Sequence, residues 1–191
     1  NNATWGLGYA ASEIDATSFQ TAANTLASEQ YGLSLLWERE QPLEEFIAEI
    51  LRHIDGTLYV HPRTGKFVLK LARADYNVAS LLALDASNIL ELESFSRPSE
   101  SELVNQITVR YRDRSTDKDA AITVHDLAAL ELAGGVVSSA TVDYPGISNG
   151  SLASRVALGD LKQLSVPLAK VTLIANRQAS NLNLRAVFKF T

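Results

Sequence analysis

The 191-residue chain has no cysteine, which excludes disulfides and cysteine-ligated metals and leaves its compartment unconstrained by redox. It also has no methionine, not even at position 1. That absence reads as a piece of a longer polypeptide. The end on Lys189-Phe190-Thr191, directly after a strand-like run, reads as a cut in the same way. No apolar run approaches the roughly 20 residues that cross a bilayer, so stable membrane insertion is not expected. No basic start leads into an apolar segment, so no signal peptide is read. A basic excess is missing too. The net charge of −5 argues against a general polyanion binder and against nucleic acid as a partner.

What is present is ordinary for a folded protein: 46% hydrophobic and 20% charged residues, with the apolar ones in short periodic runs that can build a core. Asp15 or Thr17 caps a helix over 18–30, with Phe19, Ala22, Ala23 and Leu26 on one face and Gly32 closing it. Residues 33–38 read as a short strand. A second helix starts near Pro42, carries Glu44 and Glu45 in its first turn, and stops at Asp55-Gly56. Its apolar stripe is Leu43, Phe46, Ile47, Ile50 and Ile54. The runs 57–61 and 66–71 flank Pro62-Arg-Thr-Gly65 as a hairpin.

Residues 75–87 read as a connector, 89–95 as a strand and 100–102 as an acidic turn. Strong alternation marks 105–112 as a strand, with Ile107, Val109 and Tyr111 on one face and Thr108, Arg110 and Arg112 on the other. A charged loop, a strand over 120–125, a short helix, Gly134-Gly135 and another strand follow. Residues 142–147 read as extended. Asn149 or Ser151 caps a helix to about Leu164 that Pro167 ends. Strands over 168–175 and 184–190, joined by a polar loop, complete the chain. The order is α+β, with a helix-strand-helix-hairpin unit over 1–75 joined to a β-rich unit with one late helix over 76–191.

The candidate chemistry is thin. His53, His61 and His125 lack the spacing of a helical metal pair, and no HExxH occurs. His53 lies near a helix C-terminus, where a cation is favoured. His125-Asp126 with one of the serines could form a triad, yet no GxSxG elbow accompanies them, and Ser151 is explained as a helix start. Glu44/Glu45 fit helix N-terminal charge, and Glu91/Glu93 fit a solvated strand face. Trp5-Gly-Leu-Gly-Tyr9 has no preceding strand and no following GK[ST], so it is not a phosphate loop. Arg110, Arg112 and Arg114, with Lys118 nearby, could meet an acidic partner or a phosphate. The simpler reading pairs them with Asp113, Asp117 and Asp119. No catalytic, metal or cofactor residue is therefore assigned, and no cofactor is expected.

Several phrases together resemble a known family. They are Trp5-Gly-Leu-Gly-Tyr9 with Ile14-Asp15, Phe19 and Ala22-Ala23; the helix and hairpin from Pro42 to Lys70; and Leu103-Val-Asn-Gln-Ile-Thr-Val-Arg-Tyr-Arg112. The helix Ala153-Ser-Arg-Val-Ala-Leu-Gly-Asp-Leu161 and the strand Lys170-Val-Thr-Leu173 complete the series. In this order they resemble bacteriophage and prophage tail proteins of the tail-tip, or baseplate, hub kind. The resemblance implies a barrel-like β-rich hub domain and a structural, non-enzymatic role. It implies a homotrimer linking the tail tube and distal tail protein to a fibre or spike, in the virion tail and, during assembly, in the host cytoplasm. Two other readings remain: a tail-associated hydrolase using His125 or His61, and a carbohydrate- or receptor-binding module using Trp5, Tyr9 and Tyr144.

Overall fold

The computed structural model describes residues 8–36, 42–99 and 103–190. The acidic turn at 100–102, Trp5 and the end of the expected strand at 33–38 lie outside them; residues 33–36 form no strand. The fold is α+β. The helices are α1 (Ala16–Ser28), α2 (Leu43–Ile54), α3 (Leu127–Leu132) and α4 (Gly150–Leu164). The strands are β1 (Gly56–Val60), β2 (Phe67–Leu71), β3 (Ala83–Leu84), β4 (Ile89–Ser96), β5 (Gln106–Asp113), β6 (Lys118–His125), β7 (Ser139–Asp143), β8 (Lys170–Ala175) and β9 (Lys189–Phe190). Among the described residues these strands form small open sheets, β1-β2, β3-β9, β4-β8 and β6-β5-β7, and none closes into a barrel.

Two compact units emerge, one from Asn1–Tyr31, Glu40–Leu90 and Ala175–Thr191, the other from Gly32–Arg39 and Glu91–Ile174. This partition differs from a single boundary at 75/76. The final segment returns to the first unit, where Lys70 Nζ donates to the Arg185 carbonyl and the Arg185 guanidinium donates to Asp55.

In the first unit α1 lies on β2 and α2 beside β1. Ala22, Ile54 and Leu71 form the buried centre, with Leu26, Tyr31, Ile50, Leu51 and Leu69 around it. Burying each large aliphatic side chain contributes about 1.5–3 kcal/mol. The antiparallel hairpin pairs Gly56 with Leu71 and Val60 with Phe67, and Gly65 takes φ +66° in its turn. Helix α1 ends two residues earlier than Gly32 suggests. Gln30 adopts φ 53°, its N–H donates to the Ala27 carbonyl, and the Tyr31 N–H donates to the Leu26 carbonyl at 2.8 Å. This Schellman pattern uses a non-glycine residue in the left-handed position. Asp55, at φ 50°, also takes a left-handed position at the end of α2, its N–H donating to the Arg52 and Leu51 carbonyls, and Gly56 starts β1. The Arg73 guanidinium then ties the ends together. It is bidentate to Glu29 at 2.7 and 2.9 Å and donates to the Ala72 carbonyl.

The second unit is built around β5. Strand β6 pairs antiparallel to it and β7 parallel, which places Val109 between Ile122 and Val142. Ile107 and Val109 are fully buried. Helix α4 covers that face with Leu152, Ala153, Val156, Ala157 and Leu161, the side of a 3.6-residue period. Asn149 is its cap: its side-chain oxygen accepts the Leu152 N–H at 2.9 Å. Ser151 is exposed and takes no part in the cap. A Cβ on Gly150 would stand 2.9 Å from the Tyr111 hydroxyl, so a larger residue there requires the Tyr111 side chain to shift.

Near the chain end the expected strand over 184–190 shortens to β9. Arg185 at φ 56° interrupts extension, and Arg177–Asn181 form a 3-10 turn opened by Asn176, whose side chain accepts the Gln178 N–H.

Candidate functional site

His53 lies in the last turn of α2 and is buried. Its Nδ1 lies 2.7 Å from the Glu49 carbonyl and 3.4 Å from the Glu49 carboxylate, and Tyr31 donates its hydroxyl to the His53 carbonyl. Burial pushes the imidazole pKa down, against the raising influence of Glu49. Glu49 is held below the usual carboxylate range chiefly by its hydrogen bond from Arg52. The cluster belongs to the packed end of α2.

His61 Nδ1 accepts the Arg63 backbone N–H across the hairpin turn. His125 is exposed at the end of β6, opposite Gln106, and no hydrogen bond reaches its side chain among the described residues. Asp126 is engaged elsewhere. It caps α3 by accepting the Ala129 N–H at 3.1 Å, and the Ser165 hydroxyl donates to it. These bonds hold its carboxyl below the ordinary range, the Ala129 N–H most strongly. The serine thus bonds the carboxylate directly, without an imidazole between them to take its proton, and the relay of a Ser-His-Asp triad is not assembled here.

The arginine row divides. Arg112 pairs with Asp117 at 2.9 Å and with Asp119 at 3.5 Å. Arg110 lies between Ala121 of β6 and Asp143 of β7 in register. Asp113 instead accepts from Ser115, hydroxyl first and then N–H, which lowers its pKa. This sheet face also carries Thr108 and Thr123, hydrogen-bonded at 2.9 Å. It is a polar face with charges of both signs. Glu91 and Glu93 are exposed on β4. Among the described residues no group of three or more His, Asp or Glu is placed to hold a metal ion, and no helix is long and apolar enough to cross a membrane.

Tyr9 and Tyr144 belong to different compact units. Tyr9 packs edge-on against Phe67 at 4.7 Å, Tyr144 is buried with its hydroxyl donating to Asp160 at 2.7 Å, and Trp5 lies outside the described residues. The expectation that Tyr144 is available to a ligand is therefore corrected. Its ring fills the turn between β7 and α4, where no periodic pattern signals burial.

Apolar surface is the feature the sequence reading missed. A groove of about 670 Å³ is lined by Leu103, Ala129, Leu132, Val136 and Pro167 above Asn105 and Ser165. Leu132 and Val136 are 83% and 67% exposed. Asn105 anchors the groove from below. Its side chain accepts the Ser138 N–H at 2.9 Å and donates to the Val136 carbonyl at 2.8 Å, so the loop after α3 is clamped. Such a surface suits contact with another protein better than bond-making.

Comparison with known proteins gives a family. Residues 43–191 match the sequence model of a family described as "Putative phage tail protein" (Phage-tail_3). No curated protein matches the chain. Among solved structures, the chain is similar to the 43 kDa tail protein of prophage MuSo2 from Shewanella oneidensis, at 15% identity and a TM-score of 0.49. The similarity covers 82% of this chain and 47% of that one, so the chain spans about half the length of the protein it matches.

Proposed function

The chain belongs to the phage tail protein family, and from that premise we propose that it is a structural hub of the tail tip. Family membership implies the virion tail as its place and other tail components as its partners. In the finer reading it is a homotrimer that joins the tail tube and distal tail protein to the fibre, spike or receptor-binding apparatus. It is assembled in the host cytoplasm.

The observation that carries the reading is the family match across both compact units. The surfaces favour an assembly role. Leu132, Val136, Leu90, Leu92 and Phe95 are all more than half exposed, and large side chains of this kind belong at protein contacts. A hydrolase reading is weaker, because Ser165 and Asp126 are bonded as a helix cap and the His125 side chain makes no hydrogen bond among the described residues. A glycan-binding reading is weaker, because Tyr144 is buried.

The test is deletion of the gene from a phage or prophage that encodes it, followed by electron microscopy of the particles. The expected result is tails without a distal structure, or no tails, with recovery when the gene is supplied in trans. Complete, tip-bearing tails after deletion would refute the role. Clearing of peptidoglycan by the purified chain would shift the reading to the hydrolase.

A further inference from the structure

The chain is acidic overall, yet its charge is unevenly distributed. The stretches 61–70 and 176–190 contain Arg63, Lys66, Lys70, Arg177, Arg185 and Lys189 and no Asp or Glu. The fold brings these stretches together. Arg63 donates to the Asn181 side chain, and Lys70 Nζ donates to the Arg185 carbonyl at 3.0 Å. Only Arg185 has an ion-pair partner, Asp55; the other five have none among the described residues. Between the stretches runs a groove of about 560 Å³ lined by Tyr59, Val60, Pro62, Leu184, Arg185 and Phe188. Val60, Leu184 and Phe188 are 52%, 59% and 42% exposed. Arg185 in the wall, Lys70 bonded to its carbonyl, and Arg63 beside Pro62 thus give the apolar groove of the first unit a cationic edge.

The same chain carries the complementary chemistry. Strand β4 reads Ile89-Leu-Glu-Leu-Glu-Ser-Phe-Ser96, and every residue from Leu90 onward is exposed. Leu90, Leu92 and Phe95 are 69%, 53% and 61% exposed. Glu91 and Glu93 share one face of the strand, and no Lys or Arg occurs between Arg73 and Arg97. The face that carries Glu91, Glu93 and Phe95 is apolar and anionic at once, and it fits a groove that is apolar and cationic. Both remain exposed within a single chain.

We propose that the groove beside the β1–β2 hairpin of one copy receives strand β4 of a second copy. The contact is heterologous, since the two surfaces differ, and repetition of a heterologous contact closes a ring when the rotation permits. The inference deepens the homotrimer of the proposed function and rests on it. A nucleic acid is the less favoured occupant, because the net charge of −5 repels a polyanion.

The test is sedimentation velocity of the full 191-residue chain at low and high salt, with surface charge reversals. Lys66 and Arg177 are exposed and their side chains make no bond among the described residues, so Lys66→Glu with Arg177→Glu leaves the fold intact. Glu91→Lys with Glu93→Lys reverses the other surface. We expect the unaltered chain to form trimers that weaken as salt rises. Each reversed pair weakens assembly by about tenfold or more, and the fourfold charge swap restores it. Trimers indifferent to both reversals overturn this interface and leave the trimer standing. A monomer under all conditions overturns interface and trimer together. Loss of single-stranded oligonucleotide binding in Lys66→Glu/Arg177→Glu, with assembly unchanged, also overturns the inference and assigns the groove to nucleic acid.

Discussion

Leu152→Ala probes the organisation of the second unit most sharply. Leu152 is 1% exposed, on the face of α4 that meets β5 and β6, and Ile107 and Val109 of β5 are fully buried. Truncation removes the transfer free energy of the lost carbons and leaves a cavity between rigid elements, which together cost about 2–5 kcal/mol. The unit spans Gly32–Arg39 and Glu91–Ile174, a size at which about 1 kcal/mol shifts Tm by roughly 4–8 °C. A fall of about 8–40 °C in the transition of this unit is therefore expected. Differential scanning calorimetry gives the size of the effect, and hydrogen exchange shows where it falls. Amides of β5, β6 and α4 should lose protection, while those of α1 and β2 keep theirs. Leu132→Ala, at a position 83% exposed, is the control and should stay within about 0.5 kcal/mol of the parent. Equal loss of protection in α1 and β2, or a Tm change no larger than that of Leu132→Ala, would refute the reasoning.

Asn149→Ala should cost about 1 kcal/mol by removing the cap on Leu152, whereas Asn149→Asp should be nearly neutral; urea melts separate the two. Arg73→Ala breaks the bidentate contact to Glu29 and should destabilise the first unit by about 1–2 kcal/mol after allowance for partial exposure, with the loss shrinking in high salt. Tyr144→Phe removes the hydroxyl donor to Asp160 and should cost about 1 kcal/mol in the second unit only, read by the same calorimetry. The His53 pKa is lower folded than unfolded, so the unfolded chain binds the proton more tightly. Its contribution is then fully present above the ordinary histidine value of 6.5 and is lost as pH falls from there through the folded pKa. Melts of the first unit between pH 8 and pH 5 should show this slope, and His53→Gln should flatten it; an imidazole titrating at or above 6.5 by NMR contradicts the assignment.

Much of the second unit was legible because a half-buried strand and an amphipathic helix leave strong periodic marks. Alternation of Ile107, Val109 and Tyr111 gave β5 and its buried face. Leu152, Val156 and Leu161, with Asn149 before them and Pro167 after, gave α4. Gly65 marked the hairpin turn because the bend there takes positive φ. The misses have physical causes. Gly32 looks like the helix stop, yet Gln30 takes the left-handed position because Leu26 and Tyr31 pack into the core and fix the exit earlier. Leu184 to Phe188 alternate like a strand but gain no ladder partner, and Arg185 turns aside to donate to Asp55. Asn105 and Tyr144 show how little a single polar residue or aromatic reveals by itself. One clamps a loop and the other fills a turn, and both jobs depend on partners more than ten residues away in sequence. The absence of a recognisable active-site motif could be read from the sequence. The exposed apolar groove beside α3 could not, since its walls come from three separate segments.

The central claim is that this chain is part of the distal end of a phage tail. Immunogold electron microscopy of intact virions, with antibody raised against the purified chain, tests it most directly. The account predicts gold confined to the tail tip, at the junction of tube and fibre or spike. Gold spread along the tube, gathered at the neck, or absent from purified virions would contradict it.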